Sequence, residues 1–316
     1  MGGKPFTCPD PAADRRASFA EALAEAGDLA GAIEVLSGAM ERVPGWAAGW
    51  YRLGEYCERA GRMDEAAAAY ARAVEADPCD ALGAGLKRDL ARGTPLAESM
   101  PPAFVELLFD QYAPRFERSL VDKLAYRGPA LILERLQANG FTRAQRALDL
   151  GCGTGLMGEV LRPLCTRLEG IDLSGEMLRQ ARAKGIYDRL EKADIAALDL
   201  GAERYDLIVA ADVFAYLGAL ERIIAWCAGS LGEGGLLAFT VEAGEGPVTL
   251  QESRRFAHSR AYLADLLAAA GFAQVAIEPC VVRQDRGADI ASLCVVASAP
   301  ALRHDREGDG EAMVAV

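Results

Sequence analysis

The sequence predicts an α/β fold, a mostly parallel sheet flanked by helices, with a small all-α unit in front of it. Three observations point there. The stretch 14–80 repeats itself at a spacing of 34 residues. From residue 103 onward, apolar runs of strand length alternate with amphipathic stretches of helical length. The first of those runs ends in a glycine-rich loop, Gly151-Cys152-Gly153-Thr154-Gly155. Internal repetition marks stacked helical units, and strand–helix alternation marks a parallel sheet covered on both faces.

In the N-terminal stretch, the shift of 34 places Gly27 on Gly61, Ala26 on Ala60, Ala32 on Ala66, Ala39 on Ala73 and Pro44 on Pro78. It also places Phe19 on Leu53, Leu23 on Cys57, Leu29 on Met63 and Leu36 on Tyr70. Small residues (Ala32, Ala66, Gly54) fall where the two helices of a hairpin touch. Larger ones (Leu36, Tyr70, Trp50) fall between hairpins, and Pro44 and Pro78 end the second helix of each copy. With Trp50, Leu53 and Gly54 at matching positions, the stretch resembles tetratricopeptide repeats. A third copy would begin near Ala81, but Lys87 and Arg88 stand at its apolar positions, so 80–92 is expected to be a capping helix. Two repeats and a cap fall short of a free-standing solenoid, so the unit is expected to lean on the second domain or on another chain. It reads either as a peptide-binding groove or as a docking or self-association element. The expected organisation is an N-terminal tail over 1–13, repeats and cap over 14–92, a linker over 93–102 broken by Gly93, Pro95, Pro101 and Pro102, an α/β domain over 103–300, and a loose tail over 301–316.

In the second domain, helices are expected over 104–125 and 129–139. Strands follow over 147–150, 168–172, 190–193, 205–211 and 236–241, with helices over 156–167, 175–184, 220–231 and 259–270. Two final strands, 273–282 and 291–297, have no helix between them. They therefore form a hairpin whose last strand is antiparallel, at or near one edge of the sheet.

The loop at 151–155 follows an acid, Asp149, two residues before its first glycine. Glycines at a strand end let the backbone turn sharply and approach a ligand closely. A dinucleotide fingerprint needs Gly at position 156, where Leu156 stands, and no Gly-Lys-Ser/Thr follows to make a P-loop. The second strand ends at Asp172, whose carboxylate can accept from both hydroxyls of a ribose. The third ends at Asp194-Ile195, an acid and an apolar residue suited to the edge and face of an adenine. The fourth ends at Ala211-Asp212-Val213. All four lie at the carboxyl ends of successive strands, where open α/β sheets bind ligands.

These stretches are ALDLGCGTG (147–155), GIDLSGEML (170–178), ADI (193–195), RYDLIVAADVFAYLG (204–218) and LGEGGLLAFTVE (231–242). Together they resemble class I S-adenosylmethionine-dependent methyltransferases over about 103–298. The repeats in front, with FDQYAPRFE (109–117), LAYRGP (124–129), KGIYDRL (184–190) and RFAHS (255–259), are similar to bacterial predicted methyltransferases that carry N-terminal tetratricopeptide repeats. The resemblance implies a Rossmann-like, seven-stranded sheet and S-adenosylmethionine as cofactor. It places Asp149 and Gly151 beside the methionine part, Asp172 on the ribose, Leu173 and Met177 against the adenine, and Asp194 and Ile195 at its edge, with Gly153, Gly155 and Ala211 also binding the cofactor. Asp212 would stand near the methyl group or the acceptor.

Methyl transfer from a sulfonium is an in-line displacement helped mainly by positioning, so a base is needed only where the acceptor must lose a proton. The candidates for that role are His258, Tyr112, Tyr126 and Tyr216, with Asp212 close to the acceptor. A core role competes for His258 and Tyr112. Glu242 could line the pocket, whereas Asp199, Glu203 and Asp206 are expected to face water. Cys152 is expected to be a packing residue. The fourth strand lacks the Asn/Asp-Pro-Pro-Tyr of enzymes that methylate exocyclic amines, which demotes those acceptors.

Composition narrows the classes further. Among 316 residues, 51% are hydrophobic and 25% charged, so the chain is globular. The net charge is −12 and both parts are acidic, with 11 basic against 16 acidic residues in the first hundred. A reader of phosphate backbones needs a cationic face, so nucleic acid is disfavoured. No apolar run is long enough for a membrane span, and the eight cysteines, without a Cys-x-x-Cys, read as reduced cytoplasmic thiols. With only two histidines, no metal site is expected. The leading expectation is methyl transfer to a small molecule or to a protein recruited by the repeats. The rival is a non-catalytic assembly protein that holds the cofactor as a structural ligand.

Overall fold

A computed structural model describes residues 7–92, 100–118, 120, 124–251, 253–285 and 287–299. Most of the expected linker and the tail from 301 lie outside the described residues.

The repeat unit consists of α1 (Pro11–Glu25), α2 (Leu29–Met40), α3 (Ala47–Arg59), α4 (Met63–Ala76) and α5 (Ala84–Arg92). Gly27 and Gly61 make the turn inside each hairpin at φ +88° and +75°, with open space around both, so backbone conformation alone selects glycine there. Asp28 caps α2 by accepting from the Gly31 amide at 2.9 Å. The matching position in the second copy is Arg62, and α4 has no side-chain cap. The core is small-residue packing around Ala17, Ala20, Ala32, Leu36, Met40, Ala66 and Tyr70. Gly54 lies directly against the Tyr70 ring, where a β-carbon would overlap it.

Helix α5 packs against α4 at the end of the stack. Asp80 accepts from the amides of Ala84 and Gly85 at 2.6 and 2.9 Å, and Lys87 turns to Glu58 at 2.7 Å. Leu86 points the other way. It joins Met100 and Phe256 in an apolar cluster with Phe104, Val105 and Tyr216, so the repeat unit leans on the α/β domain.

That domain opens with α6 (Pro102–Tyr112), the single-turn α7 (Phe116–Arg118) and α8 (Gly128–Ala138). The one helix expected over 104–125 is broken, because Pro114 has no amide for an α-helical bond and the chain tightens to a 3₁₀ turn over Ala113–Arg115. The strands are β1 (Ala144–Leu150), β2 (Cys165–Asp172), β3 (Arg189–Lys192), β4 (Tyr205–Ala210), β5 (Leu231–Ala243), β6 (Val248–Leu250), β7 (Phe256–His258), β8 (Ala273–Asp285) and β9 (Ala288–Ser298). Helices α9 (Leu156–Leu161), α10 (Gly175–Lys184), α11 (Glu221–Ser230) and α12 (Arg260–Ala269) connect them. Helix α9 stops before the expected 167 because Pro163 ends it, and β2 begins at Cys165.

Strands β3, β2, β1, β4 and β5 lie side by side and parallel. Strand β9 pairs antiparallel with β5 on one side and with β8 on the other, so the final hairpin is present, with its last strand second from the edge. Among the described residues the sheet has nine strands, the expected seven and one extra pair. The extra pair, β6 and β7, is a short hairpin attached to the end of β5 through Glu242 and Ala243. Strands of three residues are too short to show a period in sequence. Leu148, Leu150, Ile208 and Phe239 face one helical layer, while Ala147, Leu207, Val209 and Ala238 face the other. Among the described residues no helix is long and apolar enough to cross a membrane.

Leu86 is 3% exposed and shares its cluster with residues of both parts. Leu86→Ala is expected to lower unfolding free energy by about 2–4 kcal/mol and to split one urea transition into two, measured by tryptophan fluorescence and circular dichroism together.

Candidate functional site

The carboxyl ends of β1, β2 and β4, with the segment after β3, surround a cavity of about 310 Å³ roofed by α6 and α7. Gly151, Gly153, Asp172, Leu173, Met177, Asp194, Ile195, Ala211 and Asp212 line its floor. Gly151 and Gly153 adopt φ +63° and +54°, and a side chain at 151 would run into Val213. At Gly153 an added β-carbon would meet only Phe116, at 3.8 Å, so this glycine keeps the floor low beneath the roof. Gly155 caps α9 in a left-handed conformation and does not line the cavity.

Two carboxylates organise the floor. Asp172 accepts from the Gly153 amide with one oxygen and from the Ser174 amide with the other, both at 2.8 Å. Burial pushes its pKa up to about 6 against the pull of those two amides. Asp149 lies buried beneath the loop. One oxygen accepts from the Tyr187 hydroxyl at 2.6 Å, and the other has no partner. Burial raises it to about 7, against the Tyr187 hydrogen bond that lowers it, and the Asp172 charge adds to the rise. Asp194 spends one oxygen on the Ala196 amide at 2.9 Å. Cys152 is 5% exposed, its thiol pushed well up by burial, and packs as expected.

The roof is fastened by acids. Glu106 meets Lys192 at 2.5 Å, Asp110 accepts from the Ser174 hydroxyl at 2.5 Å, and Glu117 meets Lys184 at 2.6 Å. Its underside is aromatic. Phe109 stands edge-on to Tyr216 at 5.2 Å and to Phe116 at 6.1 Å, and Tyr112 lies 6.0 Å from Phe116. Tyr112 lines the cavity and is 38% exposed.

The far wall carries a charged cluster in which Asp212, Glu242 and Tyr216 meet two arginines that sequence reasoning missed. Arg255 reaches Asp212, Glu242 Oε1 (2.5 Å) and the Tyr216 hydroxyl (2.6 Å). Arg283 reaches Glu242 at 2.7 Å and Asp212 at 3.7 Å. Burial opposes the Arg255 charge, but Asp212, Tyr216 and Glu242 outweigh it and hold the guanidinium protonated. Tyr126 and Tyr216 also line this end, and burial keeps both phenols neutral. Glu242 is buried behind the wall as a partner of both arginines. No local spacing links 212, 242, 255 and 283. The signal lay in RFAHS, where Arg255 stands three residues before His258.

His258 is not at the cavity. It is fully buried in β7, its Nε2 lies 2.7 Å from the Gly218 carbonyl, and burial lowers its pKa. As a base it has no path to a bound molecule, because the β5–β7 pairing turns its side chain into the interior. Asp199, Glu203 and Asp206 are exposed as expected, although Asp206 accepts from the amides of Gln145 and Arg146 at 2.7 and 2.8 Å. Among the described residues no cluster suited to a metal ion occurs.

Residues 148–239 match the family model of a methyltransferase domain, and residues 18–81 match that of a tetratricopeptide repeat. The chain is 30% identical over 159 residues to malonyl-[acyl-carrier protein] O-methyltransferase of Enterobacter lignolyticus, covering 49% of this chain and 61% of that one. It is 30% identical over 112 residues to ubiquinone biosynthesis O-methyltransferase of Burkholderia orbicola, covering 33% and 47%. The chain thus spans less than two thirds of the length of these relatives. Among solved structures, the N-methyltransferase NodS of Bradyrhizobium japonicum in complex with S-adenosyl-L-homocysteine shares 25% identity over 54% of this chain and 85% of that one, at a TM-score of 0.46.

The raised pKa of Asp172 has a definite sign. Folding favours its protonated form, so its stabilisation is complete below the unfolded value near 4 and is lost as pH rises through about 6. Relative to Asp172→Asn, the ligand-free wild type is expected to lose up to about 3 kcal/mol of stability between pH 4 and 7, read by urea denaturation.

Proposed function

We propose that this chain, with a methyltransferase domain behind tetratricopeptide repeats, is an S-adenosylmethionine-dependent methyltransferase. Its acceptor is a small molecule or a protein segment that enters beneath the aromatic roof. The observation that carries this reading is the unpartnered, buried oxygen of Asp149 under a left-handed glycine loop, with Asp172 and Asp194 at the next strand ends. A cationic group with hydroxyls and an aromatic base satisfies that set. Asp149 would offer its free oxygen to the ammonium through the loop, Asp172 its remaining lone pairs to the ribose, and Ile195, Leu173 and Met177 an apolar slot for the adenine.

The bound cofactor supplies an activated methyl group. The protein's part is to align the acceptor and exclude water, which is what the roof of Phe109, Tyr112 and Phe116 does. Asp212 is gripped by two guanidiniums, which oppose the burial that raises its pKa, and it orients the far wall. Tyr126, Tyr216 and Tyr112 are the hydroxyls that reach the acceptor end. The repeats would bring a protein partner or a second copy of the chain. Eight free thiols suit a cytoplasmic setting.

Calorimetric titration with S-adenosylhomocysteine tests the reading. Asp172→Ala is expected to weaken binding roughly ten- to hundredfold, the loss of charge-assisted hydrogen bonds worth about 1.5–3 kcal/mol. Unchanged affinity would remove the ribose assignment. Gly153→Val is expected to abolish binding while the circular dichroism spectrum stays native, because the residue sits at φ +54° on the cavity floor. Normal binding by that variant would place the ligand elsewhere.

A further inference from the structure

The stretch KGIYDRL (184–190) is tied down on both sides of Tyr187. Lys184 meets Glu117 of the roof at 2.6 Å and Glu159 of α9 at 2.8 Å. The Ile186 carbonyl accepts from Arg162 at 3.2 Å. Asp188 joins Leu168 of β2 twice, its amide donating to the Leu168 carbonyl at 2.8 Å and its carboxylate accepting from the Leu168 amide at 2.7 Å. With its neighbours held, Tyr187 donates its hydroxyl to Asp149 at 2.6 Å. Three glycines on different segments clear the way for its side chain. At Gly158, inside α9, a β-carbon would overlap the hydroxyl and the ring carbon that bears it. At Gly170 of β2 and at Gly155 of the loop it would come within 3.0 and 3.2 Å of the ring. Glycine weakens a helix relative to alanine, so the contribution of Gly158 is the space it leaves for Tyr187.

We propose that Tyr187 is a positioning residue for the methionine part of the cofactor: its hydroxyl fixes the Asp149 carboxylate beneath the glycine loop and leaves the second oxygen's charge for an ammonium on the other side of that loop. Asp149 is 1% exposed, and its side chain accepts one hydrogen bond among the described residues, the one from Tyr187. A carboxylate held by one oxygen keeps the other in one direction. Tyr187 does not line the cavity, so it acts through Asp149 and not on the ligand. The hydroxyl has a second effect. A donor to a buried carboxylate favours its ionised form, against burial and against the nearby Asp172 charge. The titratable groups whose charge reaches Asp149 are Tyr187, Asp172, Cys152 and Tyr126, and of these Tyr187 hydrogen-bonds it. The role given to the ammonium rests on the methyl-transfer reading, but the hold of Tyr187 on Asp149 is measured without it.

The test is calorimetric titration of the full-length protein with S-adenosylhomocysteine and with 5′-methylthioadenosine, which has the ribose and adenine but no ammonium. Tyr187→Phe keeps the ring and removes only the hydroxyl. At about pH 7.5 it is expected to weaken S-adenosylhomocysteine about tenfold, the factor carried by one charge-assisted hydrogen bond, and to leave 5′-methylthioadenosine within about twofold. Because the hydroxyl favours the charged carboxylate, its loss lifts the Asp149 midpoint above about 7. Affinity for S-adenosylhomocysteine is then lost on acidification at a pH about one unit higher than in the wild type. Carbon-13 NMR of aspartate-labelled, ligand-free protein reads the same midpoint, with the Asp149 carboxyl assigned by its absence in Asp149→Asn, and a rise of about one pH unit is expected. Equal weakening of both ligands, or unchanged affinity for both, would overturn the proposal, since a ring that only fills space acts on both alike or on neither. An Asp149 midpoint that stays in place would overturn it as well. Wild-type protein that binds neither ligand would remove the methyl-transfer reading, and the carboxyl midpoint would still decide whether Tyr187 holds Asp149.

Discussion

The site is organised around the Asp172 carboxylate. It stands at the carboxyl end of β2, takes the Gly153 amide on one oxygen and the Ser174 amide on the other, and so ties the glycine loop after β1 to the start of α10. Ser174 passes the connection on, since its hydroxyl donates to Asp110 of the roof and accepts from the Met177 amide. The glycine loop, the end of β2, the start of α10 and the roof are therefore held by one chain of hydrogen bonds. A parallel sheet makes this possible because its strand ends converge on one edge with their amides and carboxylates unpaired by neighbouring strands.

The same convergence has an electrostatic consequence. Asp149 is buried and Asp172 half-buried, and desolvation raises the pKa of both. A ligand that brings a positive charge next to them favours their ionised forms by direct attraction and offsets the desolvation, so binding and ionisation are coupled. The far wall solves the opposite problem with side chains alone. Two arginines and two carboxylates meet there in near-complete burial, an arrangement that holds only when every donor and acceptor is matched. Removing one member would leave an uncompensated charge against Tyr216 and Tyr126.

The position of the repeats gives that wall a second support. The β6–β7 hairpin is too short to be stable alone, with three residues per strand, and it is clamped between β5 and the end of the repeat stack. Phe256 anchors it by burial against Leu86 and Met100. A two-repeat unit without enough core of its own and a hairpin without enough partners thus stabilise each other, and Arg255 with its charged partners lies beside their junction.

The sequence by itself determined the repeat period, the α/β class, the glycine loop and the acids at successive strand ends. These are local features: glycine at positive φ, proline at helix ends, and apolar runs of strand length each act within a few residues. It also located Asp172, Asp194 and Asp212 on the right edge, because strand–helix alternation fixes which end of each strand faces the crevice. Only the tertiary structure decided what depends on distant partners. It turned His258 into the interior through the pairing of β7 with β5, although RFAHS placed it beside a site residue. It laid α6 and α7, which Pro114 separates locally, over the cavity. It gathered Asp212, Glu242, Arg255 and Arg283 from four segments with no common spacing. Their meeting is set by the order of strands in the sheet and by the contact between the two parts of the chain, which no local pattern encodes.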